Sequence, residues 1–352
     1  MILKLNGILL FLLSSFFISL VLYPPYISLL KRRKAGKQLR EETADGKKAT
    51  IFAELHQHKA GTPTMWWGLF LLVMAVMVWL SLVIQQFDLI NNTLINRQET
   101  YILLFAFFSM GILGLSDDIL NIKWKSAIKW ITAKMKLVRM FLFSWFISYW
   151  FFVRLGVDYI NFRPLAGQIQ TGIWWGVITF FLTVSLVNAI NITDGLDGLV
   201  GGLMMIILPV LGVITFIQQR YLATTLIGIV MWTLLAFLRF NINPAKIFMW
   251  DSGALALWWF VATLIYLLNI KFGVLIPFII LLGIFWIELA SSGLQLFRKK
   301  VFKKKLFSVA PFHHLLEYTW YSEHTIVMKF RVIQGILWAI ALIMVFYQLY
   351  GL

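Results

Sequence analysis

The stretch from Asn188 to Gly198 carries the residue types best suited to chemistry. It reads Asn-Ala-Ile-Asn-Ile-Thr-Asp-Gly-Leu-Asp-Gly and separates two apolar runs. Asp194 and Asp197 stand three residues apart, and the glycines beside them let a ligand approach the backbone closely. Asn, Asp and Gly also make ordinary turns between helices. Bare carboxylates beside long apolar runs are costly and usually functional, so the density of polar groups here predicts a binding turn.

Two further acidic sites border apolar runs, Asp117-Asp118 and Asp251. Neighbours on a helix differ by about 100°, so Asp117 and Asp118 would serve separate tasks, one towards a metal or a substrate proton and one towards a basic side chain. The alternatives are a solvated pair at a helix C-terminus and, for Asp251, the N-cap of the next helix. Oxygen ligands in a chain without cysteine favour magnesium or manganese. The acidic sites together predict a metal and a phosphorylated substrate.

Aromatic, amide and basic side chains supply candidate substrate contacts. Phe248 could stack on a base and Asn241 could read the edge of that base, although a phenylalanine more often belongs to a core. Lys59 could bind a diphosphate as a point charge, or face the membrane surface. The neighbouring His313 and His314 suit phosphate donors or acid–base groups near neutral pH, or an ordinary surface pair.

A polar stripe interrupts one apolar segment near its end. Its members recur at helical spacing and are Glu288, Ser291, Ser292 and Gln295. Such a stripe lies on one helical face. It indicates either a seam where helices pack or one wall of a pocket, and the residues alone favour neither.

The elements that position these residues are predicted to be membrane-spanning helices. The chain has 352 residues, of which 61% are hydrophobic and 13% charged, against about 45–50% and about 25% in soluble domains. A span needs about 20 mostly apolar residues. The sequence therefore predicts an all-α, polytopic integral membrane protein, a single transmembrane domain over residues 1–352. About ten spans are predicted, at 6–30, 65–86, 100–116, 138–155, 173–190, 199–217, 222–238, 253–269, 273–294 and 331–351.

The distribution of charge predicts the orientation. Ten spans place alternate loops on one side, at 31–64, 117–137, 191–198, 239–252 and 295–330. With the flanking helix ends, that side holds all but six of the 31 lysines and arginines. The excess marks it as cytoplasmic, with both termini outside and the active site on the cytoplasmic face. The net charge of +16 then reflects orientation and lipid contacts rather than nucleic acid.

These stretches, in this order, resemble the bacterial phospho-N-acetylmuramoyl-pentapeptide transferase family of the polyprenyl-phosphate N-acetylhexosamine-1-phosphate transferase superfamily. The likeness runs from about residue 55 to the C-terminus. The 188–198 motif is specific to the superfamily, and the histidine-containing stretch points to the muramoyl-pentapeptide branch. The matching stretches are Lys59–Met65, Asp117-Asp118, Asn188–Gly198, Phe240-Asn241 through Asp251-Ser252-Gly253, and Ala310–Glu317 continuing to Lys329-Phe330-Arg331.

The resemblance implies a reaction. Undecaprenyl phosphate would attack the β-phosphate of UDP-MurNAc-pentapeptide, giving lipid I and UMP, with magnesium as cofactor. The implied partners are these two substrates and the lipid bilayer, in a multi-pass protein of the bacterial inner (plasma) membrane, and the resemblance also suggests a homodimer. It leaves open whether attack is direct or passes through an aspartyl-phosphate.

Matching positions carry implied roles. Asp251 is implied as the metal ligand, and Asp117 as the residue that activates the lipid phosphate, with Asp118 beside it. The implied nucleoside pocket is formed by Asn191, Gly195, Leu196, Asp197, Asn241 and Phe248, with Asp194 also among the substrate-binding residues. The implied phosphate and sugar contacts are Lys59, Thr64, Lys136, Gln295, His313 and His314, of which His313 is also a catalytic candidate.

The chain departs from the family pattern at several positions. The family usually has Gly-Gly where Trp66-Trp67 stand, Gly where Trp250 stands and a third His where Leu315 stands. Trp258-Trp259 also replace small residues. Because protein interiors are tightly packed, side chains this large require compensation nearby.

Three other functions fit parts of the pattern. A sister enzyme would use UDP-GlcNAc, for wall teichoic acid or O-antigen assembly, but the last cytoplasmic loop follows the muramoyl-pentapeptide pattern. A proton- or cation-coupled transporter needs groups near the membrane midplane, whereas these acidic residues cluster on one face. A non-catalytic homologue is the third, and the retention of every acidic residue argues against it.

Overall fold

The computed structural model describes residues 2–33, 35–36, 59, 61–87, 90, 92–123, 129–162, 167–270, 273–319 and 321–350. Within these ranges, the side chains of 2–5, 117, 120–123, 129–137, 250–254 and 349–350 lie outside the description. Three predicted site residues, Asp117, Lys136 and Asp251, are therefore placed by their backbones alone.

The described residues form a helical bundle. Lipid favours helices because it offers no partners to backbone polar groups, which must therefore pair within each segment. The helices are α1 (Ile2–Arg32), α2 (Trp67–Gln86), α3 (Gln98–Lys123), α4 (Lys129–Tyr149), α5 (Trp174–Thr193), α6 (Leu199–Ile217), α7 (Tyr221–Asn241), α8 (Trp250–Asn269), α9 (Leu275–Leu281), α10 (Gly283–Phe302), α11 (Phe312–Thr319) and α12 (Glu323–Tyr350).

Seven of the described helices are long and apolar enough to cross a membrane, namely α1, α2, α3, α5, α6, α7 and α12. The pair α9 and α10 is bent by 67° and makes an eighth if it is one span. The chain is thus a multi-pass helical membrane protein. A helix lies over each of the ten predicted segments. Among the residues whose side chains are described, α8 contributes a shorter apolar stretch, Leu255–Asn269, and α4 is not among the candidate spans.

Helix α8 occupies the centre of the bundle. All its side chains from Leu255 to Asn269 are buried, and α8 contacts α3, α5, α6 and α9. A helix that is apolar on every face is buried by its neighbours. Its two tryptophans, Trp258 and Trp259, are fully buried, and Trp258 packs edge-on against Phe285 with ring centroids 4.9 Å apart.

Several elements differ from the prediction. Helix α3 continues seven residues beyond Ser116 because no glycine or proline follows, so Asp117 and Asp118 lie inside a helix and do not cap its end. A π-helical turn, Trp150–Arg154, follows α4. An antiparallel hairpin, β1 (Tyr159–Asn161) and β2 (Gln168–Gln170), adds a small sheet to the predicted all-α fold. These strands are too short for sequence periodicity to reveal them.

The tryptophans at 66 and 67 belong to an aromatic layer where α2, α3 and α7 meet. We define this aromatic layer as Trp66, Trp67, Phe70, Phe107 and Phe237. Trp67 stacks on Phe70 at 4.7 Å, and Trp66 lies 4.2 Å from Phe237, measured between ring centroids.

Space for the aromatic layer comes from a glycine on the facing helix. A Cβ atom built on Gly111 of α3 would lie 2.0 Å from Nε1 of Trp67. No side chain fits at that distance, so Gly111 makes room for the indole. The bulky departure from the family pattern at Trp67 is therefore compensated one helix away.

Candidate active site

A buried polar cluster joins three distant parts of the chain. Nζ of Lys59 lies 2.8 Å from Oδ1 of Asp197 and 2.5 Å from Oε1 of Glu323. The amide of Asn243 donates to Oδ2 of Asp197 at 3.3 Å and to Oε2 of Glu323 at 3.1 Å. We call Lys59, Asp197, Asn243 and Glu323 the polar cluster. The side chains of Lys59 and Asp197 are each only 3% exposed.

Every carboxylate oxygen of the polar cluster has a hydrogen-bond donor. Oδ2 of Asp197 also accepts from the backbone N–H of Ala245 at 3.0 Å, and Oε1 of Glu323 accepts from the backbone N–H of Asp197 at 2.5 Å. Buried charges are tolerated when they are paired and hydrogen-bonded in this way. The polar cluster therefore fixes both the side chain and the backbone of Asp197 at the predicted binding turn.

The turn itself, residues 194–198, connects α5 to α6. Gly198 has φ +70°, a left-handed conformation that favours glycine. Its N–H donates to Oδ1 of Asn241 at 3.1 Å, and its carbonyl accepts from Arg331 at 3.0 Å. The amide of Asn241 donates in turn to the carbonyl of Ile247 at 2.9 Å. Asn241 thus joins the turn to the loop that carries Phe248.

His313 faces the same turn. Its backbone N–H lies 3.0 Å from Oε1 of Glu288, and its Nδ1 lies 3.0 Å from Oε2 of Glu288. Both residues are fully buried. A Cβ atom built on Gly195 would lie 2.2 Å from Nε2 of His313, so only glycine leaves room for the ring. The predicted residues Gly195 and His313 are therefore in direct apposition.

His314 lies beside this pair. Its ring centroid is 4.2 Å from that of His313, and its Nδ1 is 3.0 Å from Oε2 of Glu317. A Cβ atom built on Gly195 would lie 3.1 Å from Nε2 of His314. Both histidines of α11 thus approach one glycine of the binding turn.

Side chains of the polar stripe on α10 hold the loop between α10 and α11 against α10. Oε1 of Gln295 accepts from the backbone N–H groups of Leu306 and Phe307, and its Nε2 donates to the carbonyl of Phe307, all within 2.9 Å. Oγ of Ser291 accepts from the N–H of Phe312 at 3.1 Å. Of the two interpretations of the stripe, the structure supports a packing seam. The predicted substrate contact of Gln295 stays a prediction.

The remaining predicted contacts lie at the same end of the bundle. The backbone N–H of Phe248 donates to the carbonyl of Pro63 at 2.9 Å, and Nζ of Lys59 lies 5.9 Å from the centroid of the Phe248 ring. Thr64 is fully buried, and its hydroxyl has no partner among the described residues. Leu196 is buried, whereas Asn191, Asp194 and Phe248 are half-buried.

The C-terminal part of α3 and the N-terminal end of α8 lie beside this region. Phe107 of α3 packs against Phe260 of α8 with ring centroids 6.0 Å apart, and α8 begins directly after the loop that contacts the polar cluster. A Cβ atom on Gly68 would lie 3.7 Å from Cδ1 of Leu115, which places the later part of α3 beside the start of α2. The backbones of Asp117 and Asp251 therefore lie towards the same end as the polar cluster, as does the buried Asp118.

A magnesium site requires several oxygen ligands that are free to face the ion. Among the described side chains, no three His, Asp or Glu residues come together as metal ligands. The oxygens of Asp197, Glu288 and Glu323 already accept hydrogen bonds from protein groups. A cation would therefore depend on Asp251 and Asp117, whose side chains lie outside the described residues. Carboxylate oxygens in a chain without cysteine fit magnesium chemically.

Sequence reasoning missed two members of the polar cluster. The sequence analysis assigns no role to Glu323 or to Asn243. A signal for Glu323 exists in the composition, because the chain has only 15 acidic residues and Glu323 stands directly before the last apolar run. Each acid bordering such a run is a candidate functional residue. No comparable signal marks Asn243, since Asn before Pro is common in turns.

Known proteins resemble this chain over most of its length. The sequence profile of the family described as Glycosyl transferase family 4 matches residues 100–269. A phospho-N-acetylmuramoyl-pentapeptide-transferase from Anoxybacillus flavithermus is 33% identical over 328 residues, covering 93% of this chain and 94% of the relative. The protein of the same name from Clostridium acetobutylicum is 32% identical over 330 residues, covering 94% and 96%.

Fold and site together define a multi-pass helical membrane protein related to glycosyl transferase family 4. Its similarity to the relatives spans nearly the whole of both chains and includes the binding turn and the histidine-bearing α11. The chain belongs to the phospho-N-acetylmuramoyl-pentapeptide-transferase family.

Proposed function

We propose that this protein transfers phospho-MurNAc-pentapeptide from UDP-MurNAc-pentapeptide to undecaprenyl phosphate, giving lipid I and UMP. The observation that carries the proposal is the convergence of the polar cluster, the binding turn and the paired histidines at one end of a membrane bundle. The names of the relatives match this reaction and do not favour the UDP-GlcNAc alternative.

The reaction exchanges one phosphorus–oxygen bond for another. An oxygen of the lipid phosphate forms a bond to the β-phosphorus of the nucleotide sugar. The bond from that phosphorus to the oxygen shared with the α-phosphorus breaks, and this oxygen leaves with UMP. Such transfers depend mainly on positioning and on neutralising charge.

The residues of the site fit these needs. Phe248 would stack on uracil, and the turn residues Gly195 to Asp197 would line the nucleoside pocket. Lys59, close to Phe248, would place a positive charge near the diphosphate. Its amine is already held by two carboxylates, so its position is fixed before substrate arrives. The described geometry thus supports binding and orientation of a nucleoside diphosphate.

Magnesium is proposed as the cofactor, with Asp251 as its ligand. When bound, the ion would neutralise negative charge on the diphosphate. Asp117 would activate the lipid phosphate, with Asp118 beside it. The proposal for these residues is supported by the contacts of α8 with α3 and with α5 and α6, the two helices joined by the binding turn, and by the oxygen-only donor set.

The finer topology belongs to the same proposal. Ten spans, both termini outside and a cytoplasmic active site would place the enzyme in the bacterial plasma membrane, where its nucleotide substrate is soluble in the cytoplasm. The asymmetric distribution of lysine and arginine supports this orientation. We also propose a homodimer, on the family resemblance alone.

Release of UMP by the purified protein tests the function. The assay contains UDP-MurNAc-pentapeptide and undecaprenyl phosphate, with magnesium or with chelator. Asp251→Ala is compared with Asp158→Ala, which removes an exposed acid in the segment before β1. We expect magnesium-dependent release that is lost in Asp251→Ala and retained in Asp158→Ala.

Other outcomes would contradict specific parts of the proposal. Release from UDP-GlcNAc alone would assign the sister activity. Release that persists with chelator would remove magnesium from the mechanism. No release from folded protein with either sugar nucleotide would favour a non-catalytic homologue.

A further inference from the structure

Glu288 and His313 form a pair whose two side chains are both shielded from solvent. The two carboxylate oxygens of Glu288 engage two groups of one residue, the backbone N–H and Nδ1 of His313, at 3.0 Å each. Both side chains are 0% exposed. Among the described residues, the second ring nitrogen, Nε2, has no hydrogen-bond partner, and it points at Gly195. A buried polar atom without a partner requires an explanation.

The carboxylate determines which ring nitrogen carries the proton. An ionised carboxylate only accepts hydrogen bonds, so Nδ1 must be the donor. In the neutral ring, Nε2 then keeps its lone pair and faces the binding turn. The hydrogen bond made by one ring nitrogen thereby sets the role of the other. Glu317 makes a similar contact with the neighbouring His314, but the side chains of that pair are about 10% exposed.

We propose that Glu288 is a positioning residue of the transfer reaction. It holds His313 as the Nδ1–H tautomer, so that Nε2 accepts a hydrogen bond from a donor group of the substrate bound at Gly195. The inference rests on the proposed function for the identity of that substrate. Glu288 itself touches no substrate and acts only through the ring of His313.

Glu288→Gln separates this role from simple support of α11. A glutamine has one acceptor and one donor end. Its oxygen is required by the backbone N–H of His313, so its NH2 group would face Nδ1 and force the opposite tautomer. Ser291→Ala is the matched control, because Ser291 accepts from the next backbone N–H, that of Phe312, and is not seen to contact the ring.

Nitrogen-15 NMR spectra of the histidine rings report the tautomer of His313 and do not require the protein to be enzymatically active. The chain has five histidines, and a His313→Asn variant assigns the signal. We expect a protonated Nδ1 and an unprotonated Nε2 in the unmodified protein and in Ser291→Ala, and the reverse in Glu288→Gln. Glu288→Asp keeps the carboxylate and should keep the original tautomer, so the test survives if Glu288→Gln does not fold.

Kinetics of UMP release complete the test. We expect kcat to fall at least about 10-fold in Glu288→Gln, with partial recovery in Glu288→Asp and little change in KM. An Nε2–H tautomer in the unmodified protein would overturn the proposal, as would equal losses of kcat in Glu288→Gln and Ser291→Ala. Absence of UMP release from the unmodified protein would instead contradict the proposed function, while the spectra would still decide the tautomer.

Discussion

The polar cluster and the aromatic layer are built from neighbouring segments, but paired charges stabilise the first and packed aromatic rings stabilise the second. Lys59 enters the polar cluster, and Trp66, a few residues later, enters the aromatic layer. In the polar cluster every carboxylate oxygen has a donor, so the charges hold one geometry. In the aromatic layer Nε1 of Trp66 and Nε1 of Trp67 have no partner among the described residues, and ring packing prevails.

This difference teaches how each region should respond to change. The polar cluster depends on pairing, so removal of one group leaves others buried and unpaired. The aromatic layer depends on volume, so it should be sensitive to added atoms and less sensitive to lost polarity. Substitutions in the polar cluster should reduce both stability and activity, whereas substitutions in the aromatic layer should affect mainly stability.

The largest expected effect is that of Lys59→Met. It leaves the carboxylates of Asp197 and Glu323 facing each other without a cation, so we expect a loss of about 3–5 kcal/mol in the free energy of unfolding. Chemical denaturation in detergent measures this loss. Lys246→Met, at an exposed lysine of the adjoining loop, should change it by less than about 0.5 kcal/mol. Similar losses in both variants would show that the buried pairing is not the cause.

Gly195→Ala should mainly reduce activity. The new methyl group would meet Nε2 of His313 at 2.2 Å and displace the ring, and a displacement of about 1 Å can reduce the rate about 100-fold. UMP release per folded protein is the measurement. Gly176→Ala is the control, since no other group of the described residues, its own helix backbone aside, lies within 4 Å of its added Cβ. Full activity in Gly195→Ala would mean that the ring of His313 need not face the turn.

Gly111→Ala should destabilise the aromatic layer with less effect on the reaction. Its Cβ would overlap Nε1 of Trp67, and overpacking of this kind costs about 1–3 kcal/mol. The unfolding transition in detergent should show the loss, while the molecules that remain folded keep most of their UMP release. A selective loss of activity at unchanged stability would contradict the division between the two regions.

Trp66→Phe should have the smallest effect. The variant loses contact area in the aromatic layer but also removes a buried N–H that has no partner among the described residues. The two changes oppose each other, so we expect the free energy of unfolding to change by less than about 1 kcal/mol. A much larger loss on chemical denaturation would indicate that this N–H group is hydrogen-bonded in the folded protein.

The sequence by itself determined the class of the protein and the position of its acidic sites. Composition and apolar runs predicted a helical membrane protein, because lipid requires long apolar segments with internally paired backbones. The turn from Asn188 to Gly198 stood out because charge beside apolar runs is costly. Local signals of this kind need no knowledge of which helices are neighbours.

The tertiary structure decided which residues meet. Lys59 pairs with Glu323, 264 residues away, and no local pattern encodes that distance. Likewise, the polar stripe that contains Glu288 fitted two interpretations, and only the packing of α11 against α10 distinguished them. The space that the Trp67 side chain occupies exists because Gly111, on another helix, has no side chain. Periodicity reports one face of one helix, whereas pairing and fit depend on how the helices pack against one another.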